Sequence, residues 1–210
     1  MKIICISDTH NRHSEIDVPM GDVIIHAGDF SEAGTRSETM KFLEWFSALP
    51  HPHKILVAGN HDFYLEKHSA EISEIIPANI HYLFDKGIKI ENVNFWGSPF
   101  TPGNGHWAFN RNRGSQINDH WKKVPEDTHF LITHSPPYGI LDEIDNKIHI
   151  GSETLLRKIM ELKIPHHIFG HVHQDYGMVR MNDTVHLNAS SVNTRYNHIN
   201  APLVVHFTPS

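Results

Sequence analysis

Cysteine is nearly absent: Cys5 is the only one in 210 residues. That excludes an intrachain disulfide and any metal site built on several thiolates. No run of about eighteen apolar residues is available to span a bilayer, and the apolar stretch at Met1–Ile6 is too short for the core of a secretory signal. Cytoplasmic residence is the expectation. Positive charge is also in short supply. With 18 Lys and Arg against 24 Asp and Glu, the formal net charge is −6, so no broad cationic surface exists to track a nucleic-acid backbone. Neither a long nucleic acid nor a membrane is an expected partner. Internal repeats, low-complexity tracts and interdomain linkers are lacking too. A chain of this length with 39% hydrophobic residues reads as a single domain over 1–210.

Histidine, by contrast, is abundant, with 20 in the chain. An imidazole is as ordinary on a half-buried surface as in a catalytic site, so position has to decide which ones matter. Short β-branched runs at Lys2–Ile6, Asp22–His26, His53–Val57, Thr128–Thr133, His166–Phe169, Thr184–Leu187 and Leu203–Phe207 read as strands. Several are apolar on both faces, as buried strands of an α/β sheet are. Helical spacing marks Ser37–Leu49, Glu66–Ile76, Ser115–Lys123 and Ser152–Leu162. Between Gly87 and Gly97, Ile88-Lys89-Ile90 answers Val93-Asn94-Phe95 across Glu91-Asn92, the pattern of a β-hairpin. The alternation of elements predicts sheets covered by helices.

Polar residues of ligating type stand where strands stop. Asp8 and His10 follow the first strand, two positions apart and able to project to one side. The second ends at Gly28-Asp29, the third at Gly59-Asn60-His61-Asp62, a later one at His134, and another at Gly170-His171-Val172-His173. Ligands of open α/β sheets gather beyond the carboxyl ends of strands. Each block alone has an ordinary reading: a turn for Asp8 and Asp29, a helix cap for Asn60–Asp62, a structural histidine for His61. Five in order, each at a strand end, point to one metal-binding edge. His26, His51, His53, His68, His166, His167 and His206 lie elsewhere and are assigned no chemistry.

In this order the blocks resemble the calcineurin-like metallophosphoesterases, whose pattern is D-x-H, G-D, G-N-H-[DE], H and G-H-x-H. The segment Gly97-Ser-Pro-Phe-Thr-Pro followed by Trp107-Ala108-Phe109-Asn110, together with Leu187-Asn188-Ala189-Ser190, is most similar to the small metallophosphoesterase-domain (MPPED-type) cyclic nucleotide phosphodiesterases. After Asp29 the chain reads Phe-Ser-Glu-Ala-Gly, without the Asp-Arg of protein Ser/Thr phosphatases. The resemblance implies a four-layer α/β/β/α sandwich and two divalent ions, Mn, Fe or Zn. Asp8, His10 and His173 would hold one ion, Asn60, His134 and His171 the other, and Asp29 would bridge them. Such a pair carries about +1 net once the aspartates and a bridging hydroxide are counted, which attracts a phosphodiester anion. His61, oriented by Asp62, would act on the leaving group.

Substrate contacts are expected from the patternless stretch Ser98–Gly114. Phe100 and Phe109 either stack on a base or close the loop as a small core, whereas Trp107, which follows the polar and flexible Gly103-Asn104-Gly105-His106, is expected to be exposed and to stack; Arg111 and Arg113 either meet the phosphate or are solvated. The function expected is hydrolysis of phosphodiesters, with (cyclic) nucleotides favoured. Rival readings are a phosphomonoesterase or nucleotide pyrophosphatase with the same site, and a noncatalytic scaffold on the same fold.

Overall fold

A computed structural model of the chain describes residues 1–197 and 199–208. It contains two main sheets. The first has five strands in the order Leu203–His206, Lys2–Ile6, Val23–Ala27, His53–Val57 and Ile80–Tyr82, all parallel except Leu203–His206. The second has six, in the order Gly177–Met181, Thr184–Asn188, His166–Phe169, Phe130–Thr133, Val93–Ser98 and Lys86–Ile90. Its four central strands are parallel and its two edges antiparallel.

Alternate residues of each strand face opposite ways, and here both faces are buried. Ile3, Cys5, Val23, Ile25, Ile55 and Val57 of the first sheet form one cluster with Phe95, Phe130, Ile132, Ile168 and Leu187 of the second. The intervening Ile4, Ile6, Ile24 and Leu56 pack instead with Phe42 and Phe46 of the helix Arg36–Ala48. On the far side, Trp96 and Leu131 pack with Ile117 and Trp121 of the helix Ser115–Trp121 and with Leu155 and Ile159 of Glu153–Leu162. Helix, sheet, sheet, helices: the four-layer α/β/β/α arrangement is what is found. Burial on both faces explains why the strands read as continuous apolar runs rather than alternating ones.

Local signals set several boundaries. Thr35 and Glu38 form a reciprocal capping box that starts the first long helix. The Ser152 hydroxyl accepts from Leu155 N–H to start the last one. At the hairpin, Ile90 pairs with Val93, and Glu91 and Asn92 take φ of +46° and +67°, the left-handed pair that a two-residue turn requires. The helix expected over Glu66–Ile76 is instead broken into Phe63–Lys67, a 3-10 turn at Ser69–Glu71 and Ile72–Ile75. Leu65 is its one fully buried side chain, too little packing to sustain a longer helix. Among the described residues no helix is long and apolar enough to cross a membrane.

Candidate metal centre

The parallel strands of both sheets deliver their carboxyl ends to one cleft. Asp8, His10, Asp29 and His171 all have positive φ there, between +40° and +72°, a conformation that non-glycine residues adopt at a cost. Hydrogen bonds between the turns hold it: Asp8 N–H donates to Gly28 O (2.8 Å) and His10 N–H to Asp29 O (3.1 Å). Gly170 is required because a Cβ there would collide with the Asp8 carboxylate.

Two groups of side chains result. Asp8, His10 and His173 each bring a ligand atom within 4.8 Å of the others, and so do Asp29, His134 and His171. His173 Nε2 lies 3.3 Å from Asp8 Oδ1, and His134 Nε2 lies 3.1 Å from Asp29 Oδ2. Asp29 Oδ2 is also 4.0 Å from His10 Nε2 of the other group, so this carboxylate faces both.

The fit to a cation follows from proton bookkeeping. His134 Nδ1 donates to the Ala27 carbonyl at 2.9 Å, which leaves Nε2 as a lone pair facing two further acceptors, Asp29 Oδ2 and, at 3.0 Å, Asn60 Oδ1. Three lone pairs converge there, and only a proton or a cation among them makes the arrangement attractive. His10 repeats the pattern: Nδ1 donates to Ser31 O at 3.1 Å, and Nε2 is buried with no hydrogen-bond partner among the described residues. Orienting the second ring nitrogen in this way is how proteins present imidazole to a metal. The Asp8 carboxylate is held by the His171 N–H, 3.0 Å from both oxygens, and by the Ser190 hydroxyl at 3.0 Å. Imidazole, carboxylate and amide donors suit borderline first-row cations such as Mn²⁺, Fe²⁺ and Zn²⁺.

Burial works to raise the Asp8 and Asp29 carboxyls, yet both lie well below the ordinary range. At Asp8 the His173 hydrogen bond and the neighbouring imidazolium charges prevail, and at Asp29 the charge and hydrogen bond of His134 do. Reciprocally, burial would lower His134, but Asp29 and Asp8 carry it up to about 9; His173 is also raised. His171 has no such partner, and burial takes it down to about 4. Without cations the centre therefore keeps a proton on His134, and metal uptake must displace it.

His61 belongs to neither group. Its ring packs edge-on against His10 with centroids 4.8 Å apart, its Nδ1 donates to Glu32 O at 2.7 Å, and its backbone N–H donates to Asp29 Oδ1 at 2.7 Å. The expectation that Asp62 orients this ring is corrected. The fully buried Asp62 accepts instead from Asp29 N–H (3.0 Å), Gly59 N–H (2.7 Å), Ser31 N–H (3.1 Å) and the Ser31 hydroxyl (2.7 Å), clamping two ligand turns together. Burial, reinforced by the Asp29 charge, pushes its carboxyl up to about 7.

The loop Ser98–Gly114 divides sharply. Trp107 is 49% exposed, packs against His61 with ring centroids 4.5 Å apart and planes tilted by 36°, and lines the cleft. Phe100 and Phe109 are corrected: each is 1% exposed, in the core, with Phe100 stacked on His120 at 3.5 Å. Neither presents a face to substrate. The arginines are turned away as well. Arg111 lies over the Phe100 ring at 4.3 Å and donates to Asn110 O, while Arg113 ties down Ile150 O, Gly151 O and Glu153.

Residues not singled out from the sequence also shape the site. His26 accepts from Gly28 N–H at 3.3 Å and, through its other nitrogen, donates to the Thr9 hydroxyl at 3.1 Å, bridging the turns that carry Asp8, His10 and Asp29. Its place in an apolar strand hides this. Tyr196 lies against His10 and His173 from a polar stretch without periodicity. Ser190 lies in the Asn188-Ala189-Ser190 segment noted above for resemblance alone.

The calcineurin-like phosphoesterase family model matches residues 1–175. The chain belongs to that family. It is 39% identical over 222 residues to UPF0046 protein K07C11.7 of Caenorhabditis elegans, covering 100% of this chain and 76% of the relative. It is 36% identical over 228 residues to human metallophosphoesterase domain-containing protein 1, covering 97% and 70%. In three dimensions it is similar to the protein TT1561 of Thermus thermophilus, with a TM-score of 0.61, 12% identity and 89% and 88% of the two chains covered. The geometry and the family together make this a metal-dependent phosphoesterase, and among the described residues these two groups are its candidate metal ligands.

Proposed function

We propose that this phosphoesterase hydrolyses phosphodiesters of nucleotide type, small substrates rather than long nucleic acids, using two divalent ions and residing in the cytoplasm. The observation that carries the two-ion reading is the place of Asp29, within reach of both ligand groups. Two cations there would supply Lewis acidity and lower the pKa of bound water towards neutrality. The chain supplies orientation and a proton. His134 and His10 are locked with Nε2 presented, Asp62 and His26 keep the turns in register, and His61 has its Nδ1–H engaged by Glu32, so that its imidazolium form can give the Nε2 proton to the leaving alkoxide and be left neutral.

A diester is favoured by what the cleft is short of. Among the described residues lining it, none is Lys or Arg. A monoester dianion would bring a second negative charge with no side-chain cation to meet it, whereas a diester brings one. The half-exposed Trp107 offers a face on which a base can stack.

The test is to strip the protein of metal, reload it with Mn²⁺, and compare kcat/KM for bis-p-nitrophenyl and mono-p-nitrophenyl phosphate, followed by a panel of cyclic nucleotides. The diester should be preferred by roughly tenfold or more. Preference for the monoester would overturn the diesterase reading. Hydrolysis of neither substrate by fully loaded protein would mean that the fold serves as a scaffold.

A further inference from the structure

We propose that Tyr196 is a specificity-determining residue of this cleft, forming a second aromatic wall that receives the arm of the phosphodiester not stacked on Trp107. The inference rests on the diesterase reading above and adds to it the shape of the substrate.

Four rings form a row across the cleft. Trp107 lies 4.5 Å from His61, His61 lies 4.8 Å from His10, and His10 lies 5.1 Å from Tyr196, the last pair at an interplanar angle of 78°. Tyr196 also meets the His173 ring at 5.6 Å, so it stands beside the Asp8 ligand group as Trp107 stands beside His61. The two middle rings belong to the catalytic floor and the two outer ones are the exposed members, at 49% for Trp107 and 39% for Tyr196. A diester has two organic arms, and a row with an exposed aromatic at each end accommodates one on each side. Both end rings are uncharged, which suits nucleobases or aryl groups rather than further phosphate.

Tyr196 is held for this position. Its φ is +54°, in the left-handed region, and its N–H donates to Asn193 O at 2.9 Å. Its carbonyl accepts from Arg12, whose guanidinium is braced through Nε and Nη2 by the two carboxylate oxygens of Glu15. Arg12 lies two residues after the ligand His10, so the Tyr196 turn is latched to the turn that builds the metal centre. The family match ends at residue 175. The second wall thus comes from outside the part of the chain that carries the shared chemistry, where selectivity can vary without disturbing it.

The test compares thymidine 5′-monophosphate p-nitrophenyl ester, which has two flat arms, with methyl p-nitrophenyl phosphate, which has one. Tyr196→Ala should raise KM for the first by roughly 5- to 30-fold, the lower part of the range for losing one aromatic stack, with kcat nearly unchanged. The second substrate should change by less than about twofold. The Kd of a slowly hydrolysed phosphorothioate analogue of the nucleotide ester, measured by calorimetry, should rise by the same factor as KM. Tyr196→Phe should restore both. Arg12→Ala keeps the ring and removes its latch, and should shift KM in the same direction by less. A parallel loss on both substrates, or a loss of bound Mn²⁺ in Tyr196→Ala, would show that the ring supports His10 and His173 instead and would overturn the proposal. If the unmodified protein turned over neither diester, the diesterase reading would fail first. Tyr196 would then be judged by the analogue Kd, and an unchanged value would overturn it.

Discussion

The floor of the cleft and its mouth are built from different material. On the floor Asp8 and His134 are fully buried, Asp29 is 2% exposed, and each is tied by hydrogen bonds to a turn from another strand. At the mouth, Trp107 and Tyr196 leave much of their surface to solvent, and among the described residues pairing amounts to the short ladder of Thr101–Pro102 with Asn110–Arg111 and the isolated bridge of Val192 with Ile199. The difference separates two tasks. Positions that set bond-making geometry are fixed by several elements at once, while those that choose a substrate rest on loops that can be exchanged.

The comparison would break most completely if a floor residue could be removed without consequence. Asp29→Ala takes away the one carboxylate that faces both ligand groups, the partner of His134, and the acceptor of the His61 N–H. Hydrolysis should be abolished and bound metal should fall at both sites, more than for loss of any ligand confined to one group. Metal analysis after gel filtration reads the outcome, and near-normal metal content with normal turnover would sink the ligand assignment.

His61 lies on the boundary between the two regions, touching His10 on one side and Trp107 on the other. His61→Ala should retain both metals and lower kcat by about 10²- to 10⁴-fold, the scale of a positioned acid or base. The loss should shrink for nitrophenyl esters, whose leaving groups need no proton. Equal losses for nitrophenyl and alkyl esters would argue against the proton-donor role and leave electrostatic stabilisation in its place.

Acidity sharpens the comparison in a different way, through stability. His13, His26, His166 and His186 are lowered by burial to about 4, 3, 4 and 4, and burial takes His167 well below its ordinary 6.5. The unfolded chain takes up protons at 6.5 that the folded chain refuses. Their contribution is therefore complete above pH 6.5 and declines as pH falls below it, by about 1.4 kcal/mol per pH unit for each group within its window. Asp62, raised to about 7 from 3.8, opposes this over that interval, one group against those five and His171, which burial also takes down to about 4. His134 behaves oppositely to the buried five. Raised to about 9, it stabilises the metal-free protein below pH 6.5, and that contribution is lost as pH climbs from 6.5 to 9. The metal-free protein should thus show both an acid and an alkaline decline in Tm. Loading with Mn²⁺ should flatten the alkaline one and leave the acid one, because the cation takes the place of the His134 proton, while His149, raised by Asp142 away from the centre, keeps a small alkaline component. An alkaline decline as steep in the loaded as in the metal-free protein would contradict the assignment of His134 as a ligand.

Legibility in the sequence follows the same division. The floor can be read because ligating residues follow a strand end five times, three of them directly after a glycine, at Gly28, Gly59 and Gly170. The layered fold can be read because β-branched runs such as Val23-Ile24-Ile25 have no alternative to burial on both faces. Two strands give no such signal. Ile80–Tyr82 has only three residues, and Gly177–Met181 is a largely exposed edge with no apolar period. The mouth is harder still. Trp107 is legible as exposed because the polar, flexible Gly103-Asn104-Gly105-His106 precedes it, but nothing local marks Phe100 as buried; only packing against His120, Arg111 and Phe84 draws it inward. Asp62 misleads because adjacency to His61 suggests a pair, whereas the carboxylate reaches across the turn to Asp29, Ser31 and Gly59.

The smallest expected effect lies at the mouth and tests whether its exposure serves binding. One side of the Trp107 indole already rests on His61, so the energy available from stacking a base is that of the remaining face. The lower part of the range of about 1–3 kcal/mol applies, and Trp107→Ala should raise KM for cyclic nucleotides by roughly 5- to 30-fold. The KM of methyl p-nitrophenyl phosphate, whose single ring is smaller than a nucleobase, should change less. His61 complicates the reading, because removing the indole also frees the imidazole that it packs against. A binding wall alters KM and spares kcat, whereas loss of His61 positioning lowers kcat for alkyl leaving groups while leaving nitrophenyl esters nearly untouched. Measuring both parameters on both substrate types separates the two. A fall in kcat without a change in KM would move Trp107 from the mouth to the floor, as a support for the proton donor.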